Sequence, residues 1–123
     1  GTDSENNKKI MYTAHMDEIG FQVTHIEGDG RIKVYSVGWT WTSAIYNDKV
    51  IFQNGVIGVV GCDGPVEEAQ NKAQALYIDI GCTSKEETMK YVQPGDYCGF
   101  IGKYYELQND RISAKSLDDR VAC

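Results

Sequence analysis

The stretch Lys49-Val50-Ile51-Phe52-Gln53-Asn54-Gly55-Val56-Ile57-Gly58-Val59-Val60 decides the fold. Two runs rich in β-branched residues flank an Asn-Gly pair, which reads as a two-residue hairpin turn with positive φ at both central residues. The same grammar recurs on either side. Towards the N-terminus, Ile19, Phe21 and Val23 alternate with Gly20, Gln22 and Thr24. Glu27-Gly28-Asp29-Gly30 is a turn signal and Arg31 to Tyr35 alternates again, so residues 19–37 read as a further hairpin. His25 falls on the Phe21 and Val23 side and reads as a strand end rather than a ligand. Trp39 and Trp41 interrupt the alternation and suit either core or contact surface. Towards the C-terminus, Cys62 to Gln74 reads as a polar loop with a helical turn after Pro65, and Ala75 to Gly81 returns to strand character. Ser84 and Glu87 form a capping box for a two-turn helix that stops before Pro94-Gly95-Asp96. Tyr97 to Leu107 reads as one or two strands and Gln108-Asn109-Asp110 as a turn. Residues 20–108 therefore describe a mainly β domain, a small barrel of short strands with one helix.

The two ends differ from this barrel. Ile10-Met11-Tyr12-Thr13-Ala14 lacks alternation and reads as a strand buried on both faces, while Arg111-Ile112-Ser113-Ala114 reads as a last short strand. Both look like parts of another sheet, and both run into acidic residues. The implied organisation is a piece at 1–19, an inserted barrel at 20–108 and a return into the first domain at 109–123. His15 and Asp17 lie two apart, so a strand continuing through them would send both side chains to one face. A metal-ligating imidazole needs an acceptor on its second ring nitrogen, and a neighbouring carboxylate supplies one. Asp118 and Asp119 would join them if the terminal strands are neighbours. One imidazole and several carboxylates suit zinc, cobalt or manganese, although acidic residues after a strand also serve as helix caps or face water.

Composition narrows the field. The chain has 123 residues, 41% hydrophobic and 24% charged, with no long apolar run, so one soluble globular core without a membrane span is expected. A net charge of −6 argues against nucleic acid, whose affinity rests on clustered Lys and Arg. The polar start, Gly1 to Lys9, lacks a secretory pattern, and Cys62, Cys82, Cys98 and Cys123 contain no C-x-x-C pair. Reduced thiols and a cytoplasmic protein are expected, with two disulfides as the alternative. The missing initiator methionine suggests part of a longer chain.

The segments AHMDEIGF (14–21), IDIGCTSKEE (78–87), QPGDY (93–97) and AKSLDDRVAC (114–123) together resemble the glutamyl aminopeptidase family, which includes the tetrahedral aminopeptidases. The resemblance implies an α/β peptidase domain into which a β-rich, PDZ-like domain used in oligomer assembly is inserted. It implies two divalent metal ions, zinc or cobalt, about 3.5–4 Å apart and sharing a water of pKa near 7 that attacks peptide substrates. His15 would be a ligand of one ion, Asp17 the carboxylate that orients it and Asp118 the bridge between the two, with Asp119 an unassigned neighbour. The family's general base and remaining ligands fall downstream of its Asp-Asp-Arg motif, so these residues alone are expected to be inactive and to bind metal weakly or not at all. A β-barrel interaction module without catalysis is the competing expectation.

Overall fold

The computed structural model describes residues 9–69 and 75–123; the polar run up to residue 8 and the end of the expected loop, 70–74, lie outside the described residues. Gly20–Ile26 (β1) and Ile32–Val37 (β2) make the first hairpin, and Lys49–Phe52 (β3) and Ile57–Cys62 (β4) the second. Leu76–Asp79 (β5) and Tyr97–Phe100 (β6) complete a closed barrel in the order β1-β2-β5-β4-β3-β6, antiparallel at every ladder. Closure leaves its strands without a free edge. Inward residues alternate along most of the strands. Phe21, Ile32, Val50, Val60 and Ile78 are all fully buried, each worth roughly 1.5–3 kcal/mol relative to exposure.

Local chemistry explains how the strands are joined. The Asn54-Gly55 hairpin forms, but only Gly55 takes positive φ, at 87°. Gly55 N–H donates to Phe52 O and Phe52 N–H to Val56 O, each at 2.9 Å, which makes a three-residue loop rather than the expected two-residue one. Asn54 is spared the left-handed conformation because its Oδ1 accepts from Val56 N–H at 3.1 Å, an Asx-type bond that bends the chain by itself. The ladder between β1 and β2 shifts register between Val23 and His25. That bulge turns His25 outwards and Ile26 into the core, so His25 does not share the Phe21 and Val23 face.

The capping box is present in modified form. Ser84 Oγ accepts from Glu87 N–H at 3.2 Å, while Glu87 Oε2 accepts from Thr83 N–H at 2.9 Å. The helix it starts, Lys85–Thr88 (α2), is one turn rather than two, and further turns carry the chain to Val92, which is fully buried. Thr88 is buried as well, and its hydroxyl donates to Gly30 O at 2.8 Å. Thr42–Ile45 (α1) is a single turn between the hairpins. The tryptophans beside it face outwards, Trp39 being 75% and Trp41 63% exposed. No helix among the described residues is long and apolar enough to cross a membrane.

Beyond the barrel, Tyr105–Leu107 (β7) and Arg111–Ser113 (β8) form a separate two-stranded sheet, turned through Asn109 and Asp110 in left-handed conformations. The segment from Tyr97 to Leu107 is thus two strands in two different sheets. Residues 10–14 do not form the expected buried strand. They carry no regular structure, and Ile10, Met11 and Tyr12 are 73%, 84% and 90% exposed. An apolar run becomes a strand only when a neighbour satisfies its backbone groups, and no described strand pairs with this one.

Candidate metal centre

The segment that leaves β1 backwards, His15 to Glu18, lies against the last short turn, Leu117–Arg120 (α3), within which Asp118 and Asp119 depart from helical geometry. This is where the structure brings His15 and Asp118 together across 103 residues of sequence: Nε2 of the imidazole stands 3.2 Å from Asp118 Oδ1. The other ring nitrogen, Nδ1, is 3.2 Å from the carbonyl oxygen of Asp17 and 3.3 Å from its carboxylate. His15 and Asp17 are not on a strand, so the expected same-face pairing is replaced by a tighter local contact in which Asp17 folds back on its neighbour. Asp119 presents its carbonyl to Ala122 N–H at 3.0 Å.

The polarity of this arrangement is informative. If Nδ1 carries the ring proton and donates to Asp17, Nε2 and Asp118 Oδ1 are two lone pairs aimed at each other, a contact that needs a cation between them. A proton can play that part, and the imidazole is indeed held above its ordinary pKa, first by the Asp17 carbonyl and then by the charges of Asp17 and Asp118. A divalent metal can play it too. Nitrogen and oxygen ligands about 2 Å from a tetrahedral ion stand roughly 3.3 Å apart, and the observed separation is 3.2 Å. The pair therefore fits a shared ion. Both carboxylates are open to solvent, 89% exposed at Asp17 and 96% at Asp118, so the contacts add little to stability. Among the described residues no three His, Cys, Asp or Glu side chains gather in a metal-binding group.

One residue that holds the site has no signal in the local sequence pattern. Glu18 accepts from Lys115 Nζ at 2.7 Å and from Arg120 Nη2 at 3.2 Å, and the Ser116 hydroxyl donates to the same carboxylate. Lys115 and then Ser116 hold the Glu18 carboxyl below its usual pKa. Arg120 Nε also donates to Met16 O at 2.8 Å. The only hint in the sequence is the placing of Lys115, Ser116 and Arg120 around Asp118, a set of donors that requires an acceptor. An open cleft runs from this corner along the barrel, lined by His15, Asp118, Trp39, Trp41, Ile45 and Phe100.

Comparison with known proteins identifies the family. A family model described as M42 glutamyl aminopeptidase matches residues 1–123. A protein of Acetivibrio thermocellus is 41% identical over 117 residues, covering 94% of this chain and 35% of its own length. An aminopeptidase from the archaeon Desulfurococcus kamchatkensis superimposes with a TM-score of 0.73 at 37% identity, over 88% of this chain and 32% of that one. The TET1 peptidase of Pyrococcus horikoshii, which can assemble into a tetrahedron or a large octahedral shell, does so with a TM-score of 0.70 at 33% identity, over 89% and 36%. The chain spans about a third of the length of these relatives. A match over every residue, together with a barrel that superimposes on these solved peptidases, places this chain in the M42 glutamyl aminopeptidase family.

Proposed function

We propose that these residues form one part of a dinuclear metal-dependent aminopeptidase that removes N-terminal residues from peptides. The observation that carries the reading is the 3.2 Å approach of His15 Nε2 to Asp118 Oδ1, in a member of a peptidase family. In this reading His15 and Asp118 would hold the zinc or cobalt ions, Asp118 in the bridging role, and Asp17 would orient the imidazole through Nδ1. Bound there, the ions would supply Lewis-acid polarisation of the scissile carbonyl and a water acidic enough to act at neutral pH. The chain's own residues hold the ligands. Asp17 fixes the tautomer that leaves Nε2 free to ligate, a role whose removal in metal sites costs 10- to 100-fold.

The barrel belongs to the same proposal as a PDZ-like domain inserted into the peptidase domain and used for assembly of identical subunits. Support comes from its self-contained core and from the shells formed by the Pyrococcus horikoshii relative. Among the described residues no three His, Cys, Asp or Glu side chains gather, and we infer that these residues by themselves do not turn over peptides.

Expression of the full reading frame that encodes these residues, assayed on a panel of aminoacyl-nitroanilides with zinc or cobalt, tests the reading. N-terminal residues should be released, His15→Ala should abolish release, and Asp17→Asn should reduce it by roughly 10- to 100-fold. An inert product across the panel with metal present overturns it.

A further inference from the structure

We propose that Glu18 is the positioning residue of this site, a carboxylate that locks Asp118 opposite His15 without touching either. The inference rests on the reading of His15 and Asp118 as a ligand pair. The two residues come from segments that share no strand ladder, and neither contributes an apolar anchor at the point of contact. Their alignment rests on polar contacts between the segments, and apart from Arg120 Nε to Met16 O and the Cys123 thiol to His15 O these converge on Glu18.

The geometry separates three arms. Lys115 Nζ takes Oε2, while Arg120 Nη2 and the Ser116 hydroxyl take Oε1, so both oxygens are engaged from positions on either side of Asp118. Glu18 is far less exposed than Asp17 and Asp118, its side chain 24% accessible against 89% and 96%. Ser116 sits in a left-handed conformation, φ 68°, at the N-cap of α3. Its hydroxyl does not cap the helix and is turned to Glu18 instead. A conformation uncommon for serine is thus held by an interaction outside its own helix. Lys115 ties the assembly to the segment that follows β6, because its stem lies where a Cβ on Gly102 would sit. Only a residue without a side chain at 102 lets that lysine lie flat and reach Glu18. Arg120 then spans the gap, bonded to Glu18 and to Met16 O, one residue from His15.

Glu18 acts through these donors, so its loss should change where Asp118 sits while leaving the barrel intact. Nuclear Overhauser spectroscopy of the isotope-labelled chain reads this directly, through the cross peak between the His15 ring protons and the Asp118 β-protons. The unchanged protein should show the peak, and Glu18→Ala should lose it while the amide resonances of Phe21, Val50 and Ile78 stay in place. Lys115→Met, which keeps the stem over Gly102, should weaken the peak less, because Ser116 and Arg120 remain. Should Glu18→Ala lose the barrel's amide spectrum, Glu18→Gln takes its place: it keeps the size and an acceptor for Ser116 but loses both ion pairs, and should also lose the peak. An undiminished peak in the folded Glu18 variant overturns the positioning role alone. Absence of the peak from the unchanged protein overturns the pairing of His15 with Asp118 and, with it, the reading of the site.

Discussion

The barrel and the flank that carries the candidate ligands are held together by different physics. Between Gly20 and Phe100, strands close on themselves around side chains such as Phe21, Val50 and Ile78, none of which is accessible. In the flank the large apolar side chains lie open, Tyr12 at 90% and Val121 at 76%, and order comes from the converging donors on Glu18. A core is non-directional and tolerant, and it can make a barrel rigid without placing any particular atom. Ion pairs and hydrogen bonds contribute less energy but fix distances. The molecule thus uses burial for cohesion and polar contacts for aim, which is what the proposed ligand pair needs.

The sharpest way to break this contrast is to remove one large side chain from each region. Phe21 is fully buried and its ring lies 5.3 Å from that of Phe100, so Phe21→Ala should cost about 3–5 kcal/mol and leave the barrel marginal or unfolded. Tyr12→Ala should change stability by no more than about 0.5 kcal/mol. Urea unfolding followed by far-ultraviolet circular dichroism measures both. Comparable losses would show that the flank is part of the cooperative core. A smaller effect separates the two serines at helix starts. Ser84 caps α2, so Ser84→Ala should destabilise the barrel by about 1 kcal/mol, whereas Ser116→Ala should leave the unfolding midpoint where it is.

The same division explains what the sequence makes legible. Hairpins at 20–37 and 49–62 are readable because alternation and turn residues act over a few positions. The bulge after Val23, which flips His25 outwards, leaves no local mark, because it depends on how β1 meets β2. Ile10 to Ala14 misleads for a related reason: its composition is that of a strand, but pairing is a property of neighbours. At the site, His15, Asp17 and Asp118 are legible through the resemblance of their motifs. Glu18 is not, although it lies beside Asp17, because the serine it meets is 98 positions away and no periodicity links them.

Acid titration draws the finest line between cohesion and aim. Asp63, at the end of β4, accepts from Lys33 and, at 2.7 Å, from Arg31, so that Lys33 first and then Arg31 hold its carboxyl below the usual range. A carboxyl depressed in the folded state stabilises above its unfolded pKa, near 3.9, and that contribution disappears as pH falls through the folded value. The side chain is 43% exposed, so the gain is under about 1 kcal/mol. Unfolding midpoints should therefore fall as the pH drops below the unfolded carboxyl pKa, and in Lys33→Met the fall should be shallower, with a part left by Arg31. Identical acid limbs in the two proteins would mean that the pair adds nothing to the barrel. Arg31 also stacks over Tyr77, 5.0 Å from the ring centroid, so this cluster joins β2, β4 and β5 within one closed sheet. Glu18 is bonded just as fully but joins segments that no ladder connects, so removing its charge should move Asp118 while barely changing the energy of the fold.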